Sequence, residues 1–181
     1  EVVNYVRLCE WGKFFIRSPR QLDMLDVLWA DPQLLEVFSF PLRYGNPATA
    51  LKEINNVVLT EETALQLFGE ENPTGKTLEI KVGEIFEPFT VTAVARNLPP
   101  NSTIRFGILT NFARHAATRP RQDNWRNSAY ATFVQLKPGS GLPSDSVRLQ
   151  QFREKYYPGE AGELRNKGYW TSTGAPITYR L

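Results

Sequence analysis

A single cysteine, Cys9, and a single histidine, His115, hold all the thiol and imidazole chemistry of this sequence. An internal disulfide is excluded, and a zinc site of several Cys or His ligands cannot be assembled within one chain. A Ser-His-Asp or Cys-His nucleophile would have to run through His115. Carboxylates remain, and Glu61, Glu62, Glu70, Glu71, Glu160 and Glu163 are the candidates for paired acid–base work. Such work needs two carboxyl groups at a defined separation across a cleft, and no spacing here selects a pair; adjacent Glu61 and Glu62 are what the positive end of a helix dipole attracts. The segment Gly69-Glu70-Glu71-Asn72-Pro73-Thr74-Gly75-Lys76-Thr77 resembles a P-loop, but five residues separate its glycines where the motif has four. It also follows a helix and opens a strand, the reverse of the context that turns backbone amides toward phosphate. His115 lies among Arg114, Arg119, Arg121 and Arg126, with Phe112 and Trp125 near and only Asp123 offsetting the charge. That grouping could contact an anion or stack a base, although such patches are usually solvated loops, and a lone histidine does not bind metal. Asn101-Ser102-Thr103 matches the N-glycosylation acceptor pattern, one that arises often by chance.

The elements that must position these residues belong to a globular chain. Its 181 residues are 41% apolar, 12% aromatic and 22% charged, enough apolar side chains for a core and too few charges for a disordered tail. A formal charge of +2 is no electrostatic footprint for nucleic acid or an anionic membrane. The longest strictly apolar run, Val27-Leu28-Trp29-Ala30, falls far short of the roughly 20 residues that cross a bilayer. The sequence opens at Glu1 on folded-looking text, and we expect a soluble piece of a longer protein.

Alternation predicts strands over Tyr5 to Cys9 and Arg20 to Ala30. Asp31-Pro32 is read as the N-cap and first residue of a short helical turn bearing Leu34, Leu35 and Phe38, ended by Pro41. Asn56 to Leu59 reads as a buried strand. Thr60 then caps a helix with Ala64, Leu65 and Phe68 on its apolar face and Gly69 as its C-cap. Thr77 to Val82, with Leu78, Ile80 and Val82 on one face, turns at Gly83-Glu84 into Phe86 to Ala95 as a hairpin. Leu98-Pro99-Pro100-Asn101 breaks the chain before a strand marked by Ile104, Phe106 and Ile108. Asn111 to Ser128 reads as a fraying helix and loop. Tyr130 to Leu136 is a strand, Lys137 to Pro143 a turn, and Ser144 the cap of a helix carrying Val147, Leu149, Phe152 and Tyr156 inward until Pro158-Gly159. A glycine-rich polar stretch runs to Gly174, and Ile177, Tyr179 and Leu181 mark a last strand, expected in one sheet with Tyr130 to Leu136. The class is α+β.

Several ordered blocks carry a resemblance: Asp31-Pro32, Phe38-Ser39-Phe40-Pro41-Leu42, Gly45-Asn46-Pro47-Ala48-Thr49-Ala50-Leu51, Asn56-Val57-Val58-Leu59-Thr60-Glu61-Glu62-Thr63-Ala64, Leu67-Phe68-Gly69, Asn72-Pro73-Thr74-Gly75-Lys76-Thr77-Leu78, Phe89-Thr90-Val91-Thr92-Ala93-Val94 and Leu98-Pro99-Pro100-Asn101-Ser102. Together they resemble the periplasmic core domain of MacB-type ABC transporter permeases, the FtsX-like permease family, in its Bacteroidetes form. Glu1-Val2 is similar to a Pro-Glu-Val segment soon after the family's first membrane helix. Asn46 stands where the family often has Asp, Thr103 and Gly107 where it often has His and Asp, and Asn111 to Ser128 matches poorly.

The resemblance implies a two-lobed domain: a porter-like βαβ lobe from 1–34 with 112–181, and a β-rich inserted lobe from 35–111. It implies no catalytic, cofactor-binding or metal-binding residue and no cofactor. The implied role couples cytoplasmic ATP hydrolysis to periplasmic substrate handling or export, with the domain in the periplasm and its flanking helices in the inner membrane. Implied partners are a cytoplasmic ABC ATPase subunit or domain, a second permease copy in a homo- or heterodimer, and a periplasmic adaptor or substrate protein, with no nucleic acid. The alternatives are a stand-alone secreted or periplasmic binding module and a carboxylate-dependent hydrolase.

Overall fold

The computed structural model describes residues 1–117, 130–156, 158–169 and 171. In chain order the elements are β1 (Val2–Arg17), β2 (Leu22–Ala30), α1 (Leu34–Val37), β3 (Leu42–Tyr44), α2 (Pro47–Ala50), β4 (Asn56–Thr60), α3 (Glu61–Phe68), β5 (Thr77–Val82), β6 (Ile85–Ala95), β7 (Ile108–Asn111), α4 (Phe112–Ala117), β8 (Ala131–Leu136), α5 (Ser146–Tyr156) and α6 (Glu160–Asn166). The α+β class holds. The described residues divide into two compact units, one of residues 4–117 with 130–135, the other of Glu1–Val3 with those from Leu136 onward.

The larger unit is built on one mixed sheet in the order β2-β7-β4-β6-β5-β1-β8, with β3 added to β6. Because β1 pairs with both β5 and β2, the six strands β1, β2, β7, β4, β6 and β5 close into a ring. β2 runs parallel to β7 and β4 parallel to β6, while β4 with β7 and β5 with β6 are antiparallel. The strict alternation of β5 puts Leu78, Ile80 and Val82 into one core, with Val27, Trp29, Val57, Leu59, Phe89 and Ile108. β4 is buried along its whole length, so its alternate residues feed two cores: Val57 and Leu59 go to the first, and Val58 joins Leu28, Ala93 and Leu109 under Leu34, Leu35, Ala50 and Leu51. This is why β4 reads as a continuous apolar run and not as an alternation.

Local signals explain most element ends. The Thr60 hydroxyl accepts from the Thr63 amide at 3.3 Å and opens α3, and Gly69 closes it in the left-handed conformation at φ 72°. Asn46 Oδ1 accepts from the Ala48 amide at 3.0 Å with Pro47 following, so Asn caps α2 as well as Asp would. Gly83, at φ 65°, begins the two-residue turn between β5 and β6.

Other expectations need correction. β1 extends far beyond Tyr5 to Cys9: past the register shift between Glu10 and Lys13 its second half reads as the unalternating run Phe14-Phe15-Ile16, in which Phe15 is exposed, so a period-two search stops short of it. Asp31 does not cap α1; its carboxylate is engaged by Arg7 instead. In α3 the buried residues are Thr63, Ala64 and Leu67, and Leu65 is exposed. Ile104 and Phe106 are buried in the second core without forming a strand, which begins only at Ile108. α4 starts at Phe112, and the remainder of the poorly periodic stretch up to 129 lies outside the described residues.

In the smaller unit the Lys137 amide donates to the Glu1 carbonyl at 2.9 Å, and Arg148 Nη1 reaches the Glu1 carboxylate at 3.1 Å. Asp145 rather than Ser144 caps α5, its Oδ1 accepting from the Arg148 amide at 2.9 Å. Val147, Phe152 and Tyr156 are exposed and not inward, with Phe152 and Tyr156 packed on each other. Helix α6 occupies part of the stretch expected to be irregular. The strand expected at 177–181 lies outside the described residues.

Candidate functional site

The fold brings the two soft side chains together. Cys9 in β1 and His115 in α4 meet inside the larger unit, Sγ to Nε2 at 3.8 Å, with 1% and 4% of their surfaces exposed. The Trp29, Phe112 and Tyr130 rings surround the imidazole at centroid distances of 5.6, 6.3 and 6.3 Å. A thiol and an imidazole this close are the right groups for nucleophilic chemistry, but a nucleophile must reach a substrate and have its thiolate stabilised at an accessible position. This pair is walled by aromatics, so it packs as a core contact.

The P-loop-like turn is committed to structure. The Gly75 amide donates to the Val91 carbonyl at 2.7 Å, the Lys76 amide to the Pro73 carbonyl at 3.0 Å, and Asn72 Oδ1 accepts from the Thr74 amide and hydroxyl at 3.3 and 2.6 Å. The Lys76 ammonium pairs with Glu70. These amides, which would have to face a phosphate, tie the turn to β6 and to itself.

The carboxylates are likewise engaged in structural contacts. Glu61 accepts from the Asn97 amide at 3.2 Å while Asn97 Oδ1 accepts from the Glu62 amide at 3.0 Å, a reciprocal cap on the first turn of α3. Arg43 lies 3.5 Å from both Glu61 and Glu71, and its guanidinium is held above the usual arginine range, first by the Tyr44 side chain and then by those carboxylates. Glu163 lies on α6 in the other unit, and nothing is described of the Glu160 side chain. Among the described residues no three His, Cys, Asp or Glu side chains converge as a metal would require. Arg114 is drawn onto Glu87 of β6, Nε to Oε2 at 2.7 Å, while Arg119, Arg121, Asp123, Trp125 and Arg126 lie outside the described residues.

One pair went unanticipated. Arg7 of β1 donates to Asp31 three times, from its amide at 2.8 Å, from Nε at 2.9 Å and from Nη2 at 2.8 Å, while the guanidinium sits 4.3 Å from the Phe112 ring centroid. The Arg7 pKa is raised chiefly by the hydrogen bond to Asp31, against the opposing effect of burial. No local signal in the sequence announces a pair 24 residues apart.

The site geometry thus carries packing, capping and clamping. A model of the MacB-like periplasmic core domain matches residues 5–151. The chain belongs to this family. Among solved structures the MacB-like fold recurs in a domain of a permease-type protein from Porphyromonas gingivalis, with TM-score 0.72 and 23% identity over 88% of this chain and 72% of that one. It recurs in the periplasmic region of MacB from Actinobacillus actinomycetemcomitans, with TM-score 0.62 and 11% identity over 94% and 78% of the two chains. The extracellular domain of the noncanonic ABC-type transporter YknZ from Gram-positive bacteria is similar at TM-score 0.58 and 14% identity, over 86% and 76%. No curated protein matches the chain. This MacB-like domain is an extracytoplasmic transporter domain of a family of periplasmic permease domains, which are generally non-catalytic. Among its described residues no helix is long and apolar enough to cross a membrane.

Proposed function

We propose that this domain is the extracytoplasmic part of an ABC-transporter permease, coupling ATP hydrolysis in a cytoplasmic subunit or domain to substrate handling or export on the far side of the inner membrane, without chemistry of its own. The observation that carries the reading is the family match across residues 5–151. The sealed Cys9–His115 contact and the committed turn at Gly69 to Thr77 support it, since the residues with the best chemical credentials are used for structure. Its partners in this reading are the ATPase, a second permease copy, and a periplasmic adaptor or substrate protein. Membrane helices would precede Glu1 and follow Leu181. We draw the two lobes of this reading at 3/4 and 135/136 in place of 34/35 and 111/112, because β1 and β2 hydrogen-bond to β5 and β7 within one sheet.

The gene on both sides of this sequence tests the anchoring: an apolar run of roughly 20 residues is expected upstream and downstream, and its absence on either side would return the chain to the stand-alone binding module. Coupling is tested in the full-length permease with its ATPase in membranes. Removing residues 4–135 is expected to abolish substrate handling while ATP hydrolysis persists, and transport that survives the deletion would reject the role.

A further inference from the structure

The ring of six strands is not closed with equal strength around its circumference. β5 pairs with β6 from Thr77↔Thr90 to Val82↔Ile85, and β2 pairs with β7 over Val27 to Ala30. β1 and β5, by contrast, meet among the described residues at Ile16↔Ile80 and Arg17↔Glu79 alone. On its other side β2 has lost β7 before Val27, so residues 22–26 pair with β1 alone among the described residues. Residues 13–26 are thus a two-stranded ribbon joined to a third strand only at Ile16 and Arg17, and a two-stranded ribbon is marginal by itself in water.

The ribbon joins the rest of β1 at the register shift between Glu10 and Lys13. Gly12 sits in that shift at φ 85°, with nothing within 4 Å of where a Cβ would be. A glycine in a bulge lets a strand change direction at little steric cost. At the opposite end Arg17 makes the closing contacts: Nη1 donates to Glu79 Oε2 at 2.7 Å, and the guanidinium stands 3.8 Å from the Phe86 ring centroid. A weaker tie lies at the tip, where Gln66 Nε2 of α3 donates to Asp23 Oδ2 at 3.0 Å. Behind the latch, Ile16 and Ile80 are fully buried in the ring's core.

We propose that residues 13–26 form a hinged flap, pivoting at Gly12 and latched by Arg17 onto Glu79 and Phe86, so that the ring opens at the seam between β1 and β5. Opening there breaks two residue pairs, uncovers Ile16 and Ile80 and lifts the half-buried Phe14 and Leu25 off the core, whereas entry between β4 and β7 would break three pairs and between β4 and β6 five. Local opening follows the route with the fewest buried contacts and backbone hydrogen bonds. The latch is a half-exposed ion pair, sensitive to salt, with a cation–π contact added.

Hydrogen exchange of the whole chain, read by mass spectrometry at neutral pH, tests this. Amides of 13–26 are expected to exchange about tenfold or more faster than those of β4 and β7. Arg17→Ala should accelerate 13–26 and 79–81 by a further severalfold while leaving 57–59 and 108–110 unchanged, and Arg17→Lys should restore most of the protection. Should Arg17→Ala fail to fold, Glu79→Gln and roughly 0.5 M salt on the unaltered chain load the same latch. The proposal is overturned if 13–26 exchanges in step with β4, or if loosening the latch by either variant or by salt accelerates all strands together.

Discussion

Asp31 contributes to the fold through its side chain, not through the helical turn that follows it. Its carboxylate collects three donors from Arg7, one of them a backbone amide of β1. The two side chains differ in access to water: the Arg7 side chain is 42% exposed and that of Asp31 10%. Asp31→Ala removes the common acceptor, that of the Arg7 amide included, so we expect a loss of about 2 kcal/mol in urea unfolding. Asp31→Asn, which keeps an acceptor for that amide but no charge, should cost about half as much. Equal stability of Asp31→Ala and the unaltered chain would show that the clamp is ornamental. Residues whose role is local were legible in the sequence: Thr60 and Gly69 cap α3 from within its own four-residue neighbourhood. Asp31 was misread because Asp-Pro before an apolar pair is also a helix start, and only the distant Arg7 decides between the two uses. Cys9 and His115, 106 residues apart, met for the same reason unforeseen.

At the scale of elements, legibility followed periodicity. β5 alternates strictly and is legible to the residue, while β1 is legible only to Cys9 because past its bulge the run Phe14-Phe15-Ile16 shows no alternation, although Phe15 is exposed. α6 escaped because glycine and charge in Glu160 to Asn166 carry no apolar stripe. Two glycines show how different the same conformational need can be. Gly45, at φ 96°, lies at the end of β3 where a Cβ would come within 2.5 Å of Ala93 Cβ and 2.7 Å of the Thr92 carbonyl oxygen on β6. Gly83, at φ 65° in the β5–β6 turn, has nothing within 4 Å. Gly83→Ala therefore meets only backbone strain and should cost about 1 kcal/mol. Gly45→Ala meets that strain and backbone-level overlap besides, and should cost about 3 kcal/mol or more. Thermal unfolding of the pair checks the order, and a Gly83→Ala variant as damaged as Gly45→Ala would refute the account of the close approach of β3 to β6.

For the molecule as a whole, strand identities were largely readable and the closure of six strands into a ring was not. Which strands pair is a non-local choice: β1 meets β5 across more than sixty residues of chain through two residue pairs, and nothing in either strand's own pattern names the other. Absence of a nucleotide motif in register, however, could be read directly, and it belongs to the division of labour proposed above, in which ATP is hydrolysed in another subunit or domain. The amides of Gly75 and Lys76 donate to Val91 and Pro73, and the Lys76 ammonium is held by Glu70. A triphosphate arriving here would have to displace those bonds and approach Glu70 and Glu71, two carboxylates of its own sign. Calorimetric titration of the chain with Mg-ATP should therefore give no saturable heat, and Lys76→Ala should leave that result and the folded state essentially unchanged, since an exposed ion pair contributes at most about 1 kcal/mol. Micromolar binding that disappears in Lys76→Ala would mean that the turn rearranges into a phosphate cradle, and the separation of ATP chemistry from this domain would fall with it.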